Sequence, residues 1–373
     1  MIQACISGSG LFTPAQSIHN EELVAVYNAY AERENARHAA EIASGQREAL
    51  PLSSAEFIVK ASGIQSRYVV DKAGILDLEV MRPRIRTRGN DEPSLMAEMG
   101  LDAARQALQA AGRQPQEVDA VIVACSNLQR PYPAIAVEIQ QLLGAGGFAY
   151  DINVACASAA FGVQAAADAV RLGNARCALV ISPEICSGHL NWRNRDCHFI
   201  FGDAATALVV EPLDTARGEH RFEILGTRLQ TQFSNNIRNN FGFLNACEID
   251  PRPWNDVLFV QEGRKVFKEV VPLVSELILG HLADLGVAAA EVRRFFLHQA
   301  NLGMNQLISK RVLGREPSRE EAPVILDEYA NTSSAGSVIA FHKYHGDLRP
   351  ADLAVLCAFG AGYSAGSVVM QRR

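Results

Sequence analysis

The thiol of Cys156 is the first group in this chain whose surroundings suggest chemistry. It stands in NVACASA, after the apolar run FAYDINVA and before a stretch over 157–173 with helical spacing. A helix that starts just after a cysteine leaves unpaired backbone N–H groups and partial positive charge near the sulfur, which favours thiolate. Small neighbours (Ala155, Ala157, Ser158) leave room for a substrate carbonyl to approach the backbone. Free cysteine is also among the most buried residue types, and by local sequence alone a reduced core thiol is the stronger reading. A thiolate that accepts an acyl group needs a partner that handles protons. His298 closes the strand-like RRFFL and opens HQAN, and α/β proteins place ligand chemistry at strand C-terminal ends. Asn331, in YANTSSAGS, reads either as a turn or cap residue or as a fixed amide donor. His19, His38, His220, His281, His342 and His345 lie in polar or helical settings, while His189 and His198 flank a loop.

These residues need a frame. Strand-like runs (IQACISGSGLF, VDAVIVACS, FAYDINVA, CALVISPEI, AATALVVEP) alternate with helical patterns over 94–112, 133–143 and 157–173. FEILGTRLQ, a helix over 263–285, RRFFLHQA, helices over 301–313 and 335–345, and the closing DLAVLCAF and SAGSVVMQR follow. Such alternation predicts an α/β protein with largely buried sheets. The halves echo one another: FGDAATALVVEP closes the first as FGAGYSAGSVVMQ closes the second. A duplicated unit follows, with halves at 1–215 and 216–373 joined near 212–221. Residues 28–56 and 71–93 break the echo and read as inserts, the second carrying Arg82, Arg84, Arg86 and Arg88. Each is either solvated surface or something sharper, a cap over a substrate tunnel and a phosphate-facing patch respectively.

Bulk properties exclude several classes. The chain has 373 residues, 48% hydrophobic and 20% charged, with net charge −6, which suits a globular protein and argues against a general nucleic-acid surface. No apolar run reaches the roughly 18 residues needed to span a bilayer, and MIQACISGSGLFTP reads as a first strand rather than a signal peptide. Eight cysteines without a C-x-x-C pair argue against the common zinc sites and suit a cytoplasmic protein. GAGYSAG is followed by a strand, so a dinucleotide fingerprint is rejected; a tight turn offering backbone N–H groups to a substrate oxygen fits better.

Taken together, NVACASA, FGDAATA, HQANLGMN, YANTSSAGS and FGAGYSAGS resemble the thiolase-fold condensing enzymes, and within them the β-ketoacyl-acyl-carrier-protein synthase III family. The resemblance covers nearly the whole chain apart from the inserts. It implies duplicated βαβαβαββ halves in a layered α/β/α/β/α core, and it makes Cys156, His298 and Asn331 one catalytic set. Cys156 would take an acyl group from acyl-CoA, with the backbone N–H groups of Cys156 and Ala361 as oxyanion donors. His298 and Asn331 would stabilise the enolate formed as a malonyl group on acyl carrier protein loses CO2. The resemblance further implies that Arg195 and Phe57 hold the CoA adenine and that Gly263, Ala300 and Asn301 line the pantetheine channel. It places Tyr132 and Phe359 at the acyl pocket, Tyr132 reaching across a homodimer. It assigns Lys268, Lys310 and Arg311 to docking of the acidic carrier protein. No metal or other cofactor is called for, and no nucleic acid or membrane insertion.

The sequence departs from the family in places. Phe57 stands where a tryptophan is common, Ala61 and Gly303 where arginines are. Long members with similar inserts resemble those primed by medium-chain acyl-CoA, so octanoyl-CoA is the preferred primer and acetyl-CoA the second. Rival readings are an acyltransferase that moves the Cys156-bound acyl group to a hydroxyl or amine without decarboxylation, and a non-catalytic scaffold. A thiolase is disfavoured because Cys357 precedes Ala-Phe-Gly rather than sitting in a C-x-G turn.

Overall fold

A computed structural model describes residues 2–373. Nine strands form one sheet: β1 (Ala4–Phe12), β4 (Ala120–Ala124), β5 (Phe148–Ile152), β6 (Ala178–Ile185), β7 (Asp203–Pro212), β8 (Phe222–Ser234), β11 (Val292–Leu297), β12 (Leu353–Gly360) and β13 (Gly362–Arg372). Their order is β11-β12-β13-β8-β1-β7-β6-β4-β5. Two short ribbons lie outside it, β2 (Gln16–His19) with β3 (Ser66–Val69), and β9 (Ile237–Arg238) with β10 (Val260–Gln261).

The predicted echo is visible in the pairing. β4 runs parallel to β6, which is antiparallel to β7; β11 runs parallel to β12, which is antiparallel to β13. The halves meet where β1 pairs β8, Cys5 opposite Glu223 and Ile6 opposite Phe222. β5 alone has no second-half counterpart. There the chain runs through GREPSREEAPV, and Pro317 and Pro323 cannot donate to a ladder; this segment meets β11 through the Phe295 N–H, which donates to the Glu321 carbonyl at 2.7 Å, and through the Arg293–Glu320 ion pair.

Both half-sheets pack on the same two helices, Ser158–Arg171 and Ala335–Tyr344. One core cluster joins Ala159, Val163 and Ala167 to Ile122 and Val180 of the first half and to Leu356, Val368 and Met370 of the second. Alanine and glycine on the first helix let it sit close to the sheet: a Cβ at Gly162 would come within 2.7 Å of Val180 Cγ1. Outer helices Leu95–Ala111 and Ile135–Leu143 cover one half, and Gly263–Asp284 and Leu302–Leu313 the other. The result is the layered α/β/α/β/α arrangement.

The inserts have defined places. The first contains most of the helix Asn20–Arg37 and the short helix Ala39–Ala43. It braces a loop of the first half through the Leu52 carbonyl, which accepts from Arg195 Nε at 2.8 Å, next to Tyr27 just before the insert, which stacks on His198 with ring centroids 4.7 Å apart. It supports the loop carrying Arg195 and contributes no lining to the main cavity, so it is not the tunnel cap. In the second insert, Arg84 pairs with Asp77, Arg86 with Glu92 and Arg88 with Glu98. Those three charges are answered locally, which favours the solvated-surface reading over the phosphate-facing one. Among the described residues, no helix is long and apolar enough to cross a membrane.

Candidate active site

A cavity of about 510 Å³ opens between the halves, lined by Cys156, His298 and Asn331 together with Phe201, Phe259 and Phe359. Three chain reversals deliver the first three residues. Cys156 follows β5 and precedes the helix Ser158–Arg171. Its predecessor Ala155 is held at φ +47°, a conformation that costs a residue with Cβ about 1–2 kcal/mol. Ser158 pins the reversal, its Oγ accepting from Val154 N–H at 2.8 Å and approaching the Ala155 carbonyl at 2.7 Å.

The sulfur is enclosed, although the residue keeps an edge on the cavity. Burial pushes the thiol up to about 11, against hydrogen bonds from the Ser333 hydroxyl and the backbone N–H groups of Cys156 and Ala361, which favour thiolate. The Ser333 Oγ lies 3.3 Å from Sγ. Those two N–H groups are the expected oxyanion pair. Gly360, between Phe359 and Ala361, is required by proximity: a Cβ there would stand 2.6 Å from Cys156 Cβ and 3.0 Å from Sγ.

His298 follows β11, and its N–H donates to the Cys357 carbonyl of β12 at 2.8 Å. Its ring meets Phe359 edge to face, centroids 5.2 Å apart. Burial holds the imidazole down at about 4, outweighing the Ser333 backbone, which favours the protonated ring. Nδ1 is enclosed without a hydrogen-bond partner of ordinary geometry. At neutral pH this is a neutral ring, suited to donating or accepting a hydrogen bond.

Asn331 follows Ala330, at φ +55°, and bridges to Phe201: its N–H donates to the Ile200 carbonyl and its carbonyl accepts from Gly202 N–H. The Ser333 N–H donates to Asn331 Oδ1 at 2.8 Å. That bond fixes which end of the amide is oxygen, so Nδ2 is the end free to donate to a ligand.

The other expected positions divide. Phe57, Gly263, Ala300, Asn301 and Phe359 line the cavity. Arg195 lies at the rim with its guanidinium 3.8 Å over the Phe57 ring, so the two stack on each other. Lys268 and Arg311 are exposed on the helices Gly263–Asp284 and Leu302–Leu313, where Lys310 pairs with Glu316. Tyr132 is 82% exposed and is absent from the lining. One protomer therefore does not bring Tyr132 to the acyl pocket. Ser333, whose hydroxyl reaches Cys156 Sγ, and Gly360, whose missing side chain leaves room for it, were not nominated individually by the sequence, although both lie inside motifs already singled out.

A sheet duplicated around a central helix pair, with a cysteine, a histidine and an asparagine meeting in one cavity between the halves, defines a thiolase-fold condensing enzyme. Comparison with known proteins gives the family. Residues 150–232 match the model of 3-oxoacyl-[acyl-carrier-protein (ACP)] synthase III and residues 282–372 match its C-terminal model. The chain is 59% identical over 346 residues to the beta-ketodecanoyl-[acyl-carrier-protein] synthase of Pseudomonas aeruginosa, covering 93% of this chain and 99% of that protein. It is 35% identical to the beta-ketoacyl-[acyl-carrier-protein] synthase III of Acidiphilium cryptum, over 73% of this chain and 83% of the other. The crystal structure of 3-oxoacyl-[acyl-carrier-protein] synthase III from Aquifex aeolicus superimposes with a TM-score of 0.77 at 25% identity, over 99% of both chains. The chain belongs to the 3-oxoacyl-[acyl-carrier-protein] synthase III family of acyltransferases.

Proposed function

We propose that this enzyme condenses a medium-chain acyl-CoA, octanoyl-CoA first, with malonyl-acyl-carrier protein to give 3-oxoacyl-carrier protein, CoA and CO2. The convergence of Cys156, His298 and Asn331 in one mostly apolar cavity carries the reading. The extent of identity to a beta-ketodecanoyl synthase supports the chain length: a ten-carbon product less the two carbons that malonyl contributes leaves an eight-carbon primer.

The chemistry follows from the geometry. The Cys156 thiol gives up its proton as Sγ attacks the primer thioester carbonyl, the oxyanion is met by the N–H groups of Cys156 and Ala361, and the CoA sulfur takes up that proton as it departs. The malonyl thioester then loses CO2, and the electron pair moves onto the enolate. Asn331 Nδ2 and the neutral His298 ring hydrogen-bond its oxygen as charge develops. The enolate carbon attacks the acyl-cysteine, the tetrahedral intermediate collapses, and Cys156 leaves as thiolate and takes up a proton from solvent, which restores the starting thiol. No redox change occurs.

The adenine of CoA inserts at the Arg195–Phe57 stack, displacing the guanidinium from the ring. Pantetheine passes Gly263, Ala300 and Asn301. Lys268, Lys310 and Arg311 receive the acidic carrier protein, which chiefly speeds encounter. The working unit is a homodimer in which Tyr132 enters the partner subunit's acyl pocket, where Phe359 already stands, and its exposure on one protomer supports this. Eight free thiols suit the reducing cytoplasm.

The test is intact-protein mass spectrometry of wild type and Cys156→Ala after incubation with acetyl-, butyryl-, octanoyl- and dodecanoyl-CoA. An acyl mass gain that is largest with octanoyl-CoA and absent from the variant supports the proposal. Equal labelling of the variant overturns the nucleophile. Preference for acetyl-CoA overturns the primer. Acylation without CO2 release from malonyl-carrier protein favours transfer to a hydroxyl or amine.

A further inference from the structure

Glu184, the penultimate residue of β6, is completely buried. Among the described residues no Lys, Arg or His forms an ion pair with it. A carboxyl group enclosed without a cation is costly unless hydrogen bonds compensate. Here two backbone and two hydroxyl donors converge on it from two separate chain segments. Ser126, just past β4, offers its N–H at 2.9 Å to Oε1 and its hydroxyl at 2.6 Å to Oε2. Ser334 offers its N–H at 3.2 Å to Oε1 and its hydroxyl to the same oxygen. The Cys186 thiol completes the shell at 3.8 Å from Oε2.

Both serines lead to the reacting groups. Ser334 ends the Asn331–Ser334 turn: Asn331 supplies the amide, and Ser333, at φ +51°, supplies the hydroxyl on Cys156 Sγ and the N–H that orients the Asn331 amide. On the other side the Ser126 carbonyl accepts from Asn153 Nδ2 at 2.9 Å, and Asn153 Oδ1 accepts from Ala155 N–H at 3.0 Å. The two attachments differ in redundancy. The Cys156 reversal also has Ser158 and the start of its helix to hold it. The far end of the Asn331 turn is tied down by Ser334, whose N–H and hydroxyl both address Glu184; the hydroxyl alone has a second neighbour, the Ala124 carbonyl at 3.0 Å.

We propose that Glu184 is a positioning residue that clips the Asn331–Ser334 turn into register with Cys156, and that it controls the decarboxylating condensation more than acylation of the cysteine. The inference rests on the function proposed above, and the half-reactions separate its failure from that of the reading. In Glu184→Ala, acylation of Cys156 by octanoyl-CoA, followed by intact mass, falls by at most about tenfold, the share of the Ser333 hydroxyl on Sγ. CO2 release and condensation from the preformed acyl-enzyme fall by about 10²-fold, the scale of a lost oxyanion donor. Glu184→Gln, which keeps the shape and an acceptor oxygen for the serines, recovers condensation to within about tenfold of wild type. Ser334→Ala, which removes only the hydroxyl, repeats the selective loss in weaker form, and it serves as the deciding variant should Glu184→Ala not fold. If both half-reactions fall by the same factor in these variants, or if condensation is untouched, Glu184 is not a positioning residue. If wild type is not acylated at Cys156, or if its acyl-enzyme releases no CO2, the function is wrong instead.

Discussion

Among the described residues, the hydroxyl of Ser333 is the one side-chain donor on the Cys156 sulfur, so removing it isolates what that contact does for Cys156. In Ser333→Ala the backbone is unchanged and the Ser333 N–H still donates to Asn331 Oδ1, so the amide remains oriented. Only the O–H at 3.3 Å from Sγ is lost. A hydrogen bond to a charged group is worth about 1.5–3 kcal/mol, and the long reach to a diffuse sulfur places this one at the lower end. At about 1.4 kcal/mol per pKa unit, the thiol, already pushed up to about 11 by burial, moves up by about one further unit. Thiolate at any pH well below that value then falls about tenfold.

The assay is the rate of alkylation of Cys156 by iodoacetamide across neutral to mildly alkaline pH. Peptide mapping keeps it separate from exposed Cys247. In this range both proteins gain reactivity with rising pH, since the thiolate is the reacting form. The variant's curve lies about one pH unit to the alkaline side. Coincident curves, or a faster variant, would refute the argument that the Ser333 hydroxyl stabilises thiolate. Acylation by octanoyl-CoA falls in parallel, whereas decarboxylation by preformed acyl-enzyme, which draws on Asn331 and His298, changes little.

Two further outcomes follow from contacts and titrations. Gly360→Ala places a methyl 3.0 Å from Cys156 Sγ in a backbone conformation that alanine accepts, so the damage is a displaced nucleophile; acylation measured by intact mass drops by about 10²-fold or more, on the sensitivity of catalysis to small misplacements, and an active variant would show that the sulfur has room to move. Stability falls as the solution is acidified from pH 6.5 towards 4: burial holds His198 and His298 at about 4 in the fold, so the unfolded chain takes up their protons first. The penalty approaches ~3 kcal/mol for each, and is partly offset by buried Asp203, which burial raises to about 6 and which therefore binds its proton first in the fold. Urea unfolding at a series of pH values checks the sign, and a flat or opposite dependence contradicts it.

How far the sequence could be read depended on whether the physics was local. The burial of β4, β6 and β7 was legible because AVIVA, ALVISPEI and DAATALVVEP are nearly continuous apolar runs, the mark of strands covered on both faces. Cys156, His298 and Asn331 could be nominated because each terminates a recognisable element, but nothing local brings them together; that depends on β5, β11 and the Asn331 turn reaching one cavity from different parts of the sheet. Serine at 333 and glycine at 360 look ordinary by composition. Their roles come from one cross-chain distance each, to a sulfur 177 residues from Ser333 in the first case and to that same sulfur in the second. The alternate arginines stayed open for the opposite reason: Asp77, Glu92 and Glu98 lay within ten residues as candidate partners for Arg84, Arg86 and Arg88, and a charge run says nothing about which of them fold back.

The same distinction explains why a buried carboxyl at 184 is hidden in the sequence. Within SPEI it reads as one polar residue at a strand end, where a solvent-facing position is the ordinary assignment. Its enclosure is created by two serines, one 58 residues before it and one 150 after. Each serine alone is equally unremarkable, and only the closed arrangement gives the three a shared function. An active site assembled from reversals of the backbone needs such junctions, because Ala155, Ala330 and Ser333 occupy conformations that side chains rarely adopt and would relax if their surroundings let them. The strain around Cys156 and Asn331 and the hydrogen-bonded carboxyl behind them are therefore parts of one device: the first sets where the reacting atoms point, and the second stops them from turning away.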